Sequence, residues 1–302
     1  MILNFLKKII KGLISLYPRS KEYKLDSLIP ELVPKILCVD VGASYYAHPA
    51  WGPLQRSAQT TWLAVDPNAS NLGYVRSWPW PSKVIPISEA LTKEGGSATL
   101  YVTNIDSGSS LLAPIIHPSM EHRTDQNYFF PLKEVQLETQ SLEKILNKYE
   151  GMPIALKLDT QGSEFDIISG LSEKLIRDRI ICIELETTLL ANPYYQNSGR
   201  FYDVMRYLEA LGFELASLDP IASRYPLAGR KLSSRNVLVE CDALFIKRPD
   251  IIQDFSYEYQ LAVLAIYLTY RFYGEAIYLQ KKLVSGDHKS TTILRKLEHL
   301  LS

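Results

Sequence analysis

The chain has 302 residues and is 46% hydrophobic, enough to bury a large core. Lys plus Arg number 33 and Asp plus Glu number 33, so the formal charge is zero. That balance argues against nucleic acid as a partner, because neutralising phosphates needs a basic excess. Cys38, Cys182 and Cys241 each sit in an apolar strand-like run without metal-ligand spacing. They read as small core residues of a protein in a reducing, cytoplasmic compartment, with no disulfide frame and no metal site expected.

In chain order, Met1 to Tyr17 is apolar at Leu3, Leu6, Ile10, Leu13 and Ile14, with Lys7, Lys8 and Lys11 between. The spacing predicts an amphipathic helix, and the lysines interrupt any signal-peptide core, so export is not expected. Its stripe either packs on its own protein or, through residues 1–17, makes weak peripheral contact with a membrane surface. Pro30 and Pro34 read as closing a linker, which makes 1–34 a helix and linker. From 35 to 249, strand-like runs at 36–41, 61–66, 83–88, 98–103, 134–139, 154–159, 180–186, 213–218 and 239–247 alternate with helical patterns. The helices are expected at Ser141–Lys148, Glu164–Ser169, Glu173–Arg177 and Arg200–Leu211. Such alternation predicts a mostly parallel sheet with helices on both faces. Ser107 to Pro131 has no clear period and is too long for a plain connection, which makes it a candidate lid or substrate loop. Residues 250–302 form a helical extension, with helices at Tyr257–Tyr270 and Glu275–Val284 read as a packed hairpin.

Two apolar runs ending in acids carry the first chemistry. Lys35-Ile-Leu-Cys-Val-Asp-Val-Gly42 and Trp62-Leu-Ala-Val-Asp66 read as buried parallel strands that deliver carboxylates to the carboxyl edge of a sheet. Gly42 lets the backbone pass close to a ligand, and Asp66 can accept from ribose hydroxyls, the pattern of a nucleoside crevice. Ile154-Ala-Leu-Lys-Leu-Asp-Thr-Gln-Gly-Ser-Glu164 repeats the design. Its Asp159 is either a site residue or a structural partner of Lys157. Glu184 and Glu186 alternate onto one face of the next strand, and unpaired burial would cost several kcal/mol each, so they are expected to face the crevice or a cation.

Taken in order, Val39-Asp-Val-Gly-Ala43, Val65-Asp-Pro-Asn68, Ile87-Ser-Glu-Ala-Leu91, Gly108-Ser-Ser-Leu111, Val135 to Leu142, Leu156-Lys-Leu-Asp-Thr-Gln-Gly-Ser-Glu164 and Ile183-Glu184 resemble the FkbM-type S-adenosylmethionine-dependent methyltransferases. The resemblance covers roughly residues 36–247. Two positions depart from the family pattern: Ala43 and Ser44 follow Gly42 where a second glycine is usual, and Gln161 stands where Glu is common.

The resemblance implies a Rossmann-like class I methyltransferase fold with a seven-stranded central sheet, and S-adenosyl-L-methionine as the cofactor. It implies Asp40, Gly42 and Ala43 around the methionine part, Asp66 and Pro67 at the ribose, and Ser88, Glu89 and Ala90 along the adenine. Asp159 would lie near the transferred methyl group and is the first candidate base, with His117 and His122 next. The implied reaction is O-methylation of a sugar, glycan or small metabolite. The alternative is a methyltransferase-fold binding or scaffolding protein with weak or no activity. Oligomeric state is not readable from the sequence.

Overall fold

A computed structural model describes residues 21–115, 130–191, 194–220, 238–283 and 288–301. Seven strands form the central sheet: β1 (Ile36–Val41), β2 (Thr60–Val65), β3 (Lys83–Ile87), β7 (Ile154–Leu158), β8 (Ile180–Thr188), β9 (Phe213–Pro220) and β10 (Glu240–Lys247). Their order is β3-β2-β1-β7-β8-β10-β9. β10 runs antiparallel to both its neighbours, and the other pairings are parallel. The chain winds outward from β1 to β3 and then crosses back to β7, so the order reverses between β1 and β7. A crevice opens at the carboxyl ends of the strands at such a reversal.

The inner strands β1, β2 and β7 are almost wholly apolar because both their faces are covered. All six residues of β1 are buried, Asp40 included. Leu37, Val39, Leu63, Val65 and Leu156 pack in one apolar cluster with Ile167, Ile168, Leu175 and Ile176. These last four belong to two short helices, α4 (Glu164–Ser169) and α5 (Glu173–Arg179). Ile36, Cys38, Trp62 and Ala64 belong to a second cluster. There they meet α1 (Lys21–Leu32), α8 (Tyr257–Thr269) and α9 (Tyr273–Leu283). Ten of the 13 residues of α8 are buried, which explains why its apolar residues run round the whole helix. The C-terminal helices therefore supply core to the sheet.

Three expectations change. Residues 21–32 are a helix where a linker was expected, with Pro30 inside its last turns. A proline there removes one backbone hydrogen bond near the helix end, and burial of Leu25, Ile29 and Leu32 holds the turn nonetheless. The runs at 98–103 and 134–139 are not central strands. They lengthen to β5 (Gly95–Thr103) and β6 (Pro131–Gln140), which pair antiparallel in a separate three-stranded sheet with β6 in the middle. Its third member, β4 (Ala90–Leu91), and a last helix, α10 (His288–Leu301), were not foreseen. Residues 1–17 lie outside the described residues. No helix among the described residues is long and apolar enough to cross a membrane. Cys38, Cys182 and Cys241 are buried and unbridged.

Candidate active site

The ends of β1, β2 and β7 are tied together by backbone bonds that continue the ladders past the strands. Gly42 and Ala43 donate to the Val65 carbonyl at 2.8 and 3.1 Å, Asp159 donates to Val41 at 2.9 Å, and Asp66 donates to Ile87 at 3.1 Å. Gly42 has φ +83°, and a Cβ on it would collide with the Asp159 carbonyl oxygen. Only glycine lets β1 turn away from β7 at this distance. Asp40 then shapes the following loop, its Oδ2 accepting from the His48 backbone N–H at 3.1 Å.

Two cavities open on this edge and meet at Gly42 and Asp159, which line both. The first encloses about 440 Å³. Leu91, Leu100, Val102, Val135 and Leu137 of the smaller sheet form its apolar wall, and Asp66, Pro67, Asn71, Glu89, Ala90 and Asp106 add the opposite side. Asp66 is 7% exposed. Its Oδ1 accepts from the Asn68 backbone N–H at 2.8 Å and from the Asn71 amide at 3.3 Å. The Asn71 amide also reaches Asp106 at 2.9 Å, and the Tyr45 hydroxyl donates to the same Asp106 oxygen at 3.2 Å. Burial pushes the Asp66 carboxyl up to about 6 against the pull of Asn68 and Asn71.

The second cavity, about 360 Å³, is lined by Asp40, Ala43, Tyr45, Tyr46, His48, Lys157, Glu184 and Asp242, besides the shared pair. Lys157 stands between two acids, 3.0 Å from Asp159 and 3.9 Å from Asp40. Burial pulls its ammonium down, and Asp159 and Asp40 more than reverse that. Asp159 is 37% exposed. Burial pushes its carboxyl up, but the Lys157 ammonium and hydrogen bonds from Glu186 and Gln161 outweigh it, leaving the group below the ordinary carboxylate range. A carboxylate so held is a good hydrogen-bond acceptor and a poor final proton acceptor. Asp40, by contrast, is raised by burial against the pull of Lys157 and His48.

Behind Asp159 the turn at 160–164 is braced from within. Glu164, 4% exposed, accepts from the backbone N–H groups of Thr160 and Gly162 at 2.6 and 2.9 Å. Gln161, the position at which the sequence departs from the resembled pattern, takes φ +57°. Its amide N–H₂ donates to Asp159 at 3.2 Å and to Glu186 at 2.5 Å. A glutamate there would add a third carboxylate to this pair, and the amide instead bridges it. Tyr195 closes the network, its hydroxyl reaching the Gly108 carbonyl at 2.8 Å and the Gln161 amide oxygen at 3.2 Å.

The cofactor residues anticipated from the sequence divide between the cavities. Gly42, Asp66, Pro67, Glu89 and Ala90 line the first, and Asp40, Gly42 and Ala43 line the second. Ser88 is exposed beside them and lines neither. His117 and His122 lie outside the described residues. Sequence reasoning missed Asn71, Asp106, His48 and Asp242. Of these only Asn71 carried a signal, sitting five residues after a strand-tip acid in a turn-rich run.

The cavities fit the group that the resemblance implies: an apolar slot for a base, a buried carboxylate for ribose, and a backbone cleared of Cβ where the two cavities join. Neither curated proteins nor solved structures yield a match to this chain. The methyltransferase FkbM domain matches residues 40–215, more than half of the chain and including both strand-tip acids and the Asp159 turn, and the chain belongs to that methyltransferase family.

Proposed function

We propose that the protein is an S-adenosylmethionine-dependent O-methyltransferase acting on a hydroxyl of a sugar, glycan or small metabolite. The observation that carries this reading is the meeting of two chemically unlike cavities at Gly42 and Asp159. The first suits a nucleoside, with Asp66 and Pro67 at the ribose and Glu89 and Ala90 beside the adenine. Asp40, Gly42 and Ala43 shape the loop for the methionine part.

When bound, the cofactor supplies an activated methyl group on a sulfonium, so the chain's share of the work is alignment and proton handling. Asp159, ionised beside Lys157, accepts a hydrogen bond from the acceptor hydroxyl and holds its oxygen at the junction. The second cavity suits a hydroxyl-rich acceptor. Its Asp159 and Asp242 carboxylates accept hydroxyl hydrogen bonds, and Tyr45 and Tyr46, 58% and 65% exposed, offer flat faces to a sugar ring.

Calorimetry with S-adenosylhomocysteine tests the first cavity. Asp66→Ala is expected to weaken binding by roughly 1–3 kcal/mol, the range for losing a charged acceptor. Unchanged affinity would remove Asp66 from the site. The pH dependence has a definite sign. Ribose hydroxyls donate to the ionised carboxylate, so binding pulls the Asp66 pKa down from about 6. Affinity should therefore climb as pH rises from about 5 to 7, with proton release near pH 6. Calorimetry in buffers of different ionisation heat reads that release, and Asp66→Asn should abolish it. Transfer of a tritiated methyl group to a mixture of methyl hexopyranosides tests the reaction itself.

A further inference from the structure

One polar chain at the second cavity is left unused by the mechanism above, and it ends outside the family-matched segment. His48 is 8% exposed, and its Nε2 lies 3.1 Å from Glu184 Oε2. The same carboxylate oxygen accepts from the Tyr270 hydroxyl at 2.6 Å. Trp51 Nε1 in turn donates to the Tyr270 oxygen at 2.7 Å, which turns the phenol's own proton toward Glu184. The Trp51 ring also meets the His48 ring edge-on, with centroids 5.0 Å apart. Both ends of the chain are thus held by one indole.

The direction of the proton in this chain follows from the charges. Burial pushes Glu184 up, but the hydrogen bond and charge of His48, the hydrogen bond from Tyr270 and the Lys157 charge bring it below the usual range. An ionised Glu184 can only accept, so the neutral imidazole presents Nε2–H to it and keeps its lone pair on Nδ1. A carboxylate behind an imidazole fixes the tautomer and stabilises the imidazolium, the same logic that serves hydrolytic triads.

Tyr270 does not line the second cavity. It sits behind Glu184, lining with it and Asp242 a neighbouring cavity of about 300 Å³. Its position is set by the end of α8. Phe272 N–H returns to the Tyr267 carbonyl at 2.7 Å and Arg271 N–H to Leu268 at 3.1 Å. Arg271 takes φ +64° to make this closure.

We propose that His48 is the catalytic residue that takes the acceptor hydroxyl's proton, and that Glu184 and Tyr270 are its positioning residues, so that the C-terminal hairpin completes the active site. This rests on the methyltransferase reading above. In the step, the acceptor oxygen bonds to the methyl carbon as the methyl–sulfur bond breaks with its electron pair on sulfur. The hydroxyl proton passes to His48, whose charge is balanced by Glu184. The other charged groups on this cavity are Asp40, Lys157, Asp159 and Asp242, with the Tyr45 and Tyr46 phenols at its mouth.

Removing the hairpin is no test, because α8 is core. Point variants are the test, in the full chain: His48→Gln, Glu184→Gln and Tyr270→Phe. Calorimetry with S-adenosylhomocysteine comes first. Binding lost even in the unmodified protein overturns the cofactor reading, whereas binding kept in all variants leaves the relay to be judged alone. Histidine-selective nitrogen NMR then needs no acceptor. The unmodified protein should show the His48 imidazole held in the Nε2–H form, and Glu184→Gln, which loses the anion, should weaken that preference. In Tyr270→Phe the carboxylate, stripped of one donor, bears more charge toward the imidazole, so the Nε2–H proton resonance should move downfield as that bond strengthens. Tritiated-methyl transfer to methyl hexopyranosides should fall ~10²-fold or more in His48→Gln, which also loses the acid limb of the pH profile. Tyr270→Phe should lower kcat several-fold with KM for the cofactor unchanged. A His48 tautomer and Nε2–H resonance indifferent to both neighbours, or full transfer by His48→Gln, overturns the proposal.

Discussion

Gly42→Ala should both destabilise the protein and cripple cofactor binding. Two separate penalties meet at this residue. Its φ of +83° lies where an L side chain is strained, and its new Cβ would strike the Asp159 carbonyl. The conformational penalty alone is about 1 kcal/mol. Overpacking against fixed backbone typically adds about 1–3 kcal/mol, so denaturant unfolding should read a loss of roughly 2–4 kcal/mol. Gly151→Ala is the natural control. Gly151 also has positive φ, +71°, but a Cβ there meets nothing within 4 Å. The difference between the two variants isolates the close approach of β1 and β7. Because Asp159 must shift to relieve the clash, both cavities change shape at their junction, and S-adenosylhomocysteine affinity should drop with stability. If Gly42→Ala behaves like Gly151→Ala in unfolding and leaves binding intact, the approach is looser than described.

That glycine was legible in the sequence, and the reason is physical. A buried parallel strand must be apolar on both faces, so a run such as Ile36–Val41 stands out. An acid at its end, followed by glycine, has few roles other than shaping the strand's exit. The same holds for Asp66 and for the Asp159 turn. All three depend on residues within ten positions of each other. What was not legible depends on distance along the chain. Tyr270 lies 219 positions from Trp51 and 86 from Glu184, and as the residue capping α8 it reads as an ordinary core tyrosine. His48 stands in a run with no period, and only the fold brings its ring to Glu184. The smaller sheet was misplaced for a related reason. Leu100, Val102, Val135 and Leu137 alternate with polar residues, which marks a strand with one apolar face, and alternation alone does not say which sheet the strand joins. The apolar face turned out to roof the first cavity.

Asp159→Asn tests the junction itself. The fold should survive, because Gln161 and the Glu164-braced turn hold the backbone independently of the Asp159 charge. Lys157, 14% exposed, would keep Asp40 at 3.9 Å and lose its 3.0 Å partner. Breaking a fully buried pair costs about 3–5 kcal/mol. With Asp159 itself 37% exposed, solvent softens this to roughly 1–2 kcal/mol. Turnover should respond far more strongly. An amide offers the acceptor hydroxyl a weaker hydrogen bond, and a freed Lys157 is able to claim the same space. Misplacing the acceptor oxygen by even ~1 Å costs on the order of 10²-fold in rate. Tritiated-methyl transfer should therefore fall ~10²-fold while S-adenosylhomocysteine binds as before. The pH profile separates the two candidate bases of this edge. If Asp159 were the final proton acceptor, Asp159→Asn would erase the acid limb. If His48 takes the proton, the limb persists in Asp159→Asn at reduced height and disappears only in His48→Gln. Should Asp159→Asn instead unfold the chain or abolish cofactor binding, its carboxylate serves to hold Lys157 between β1 and β7, and the acceptor must be aligned by other groups on the second cavity.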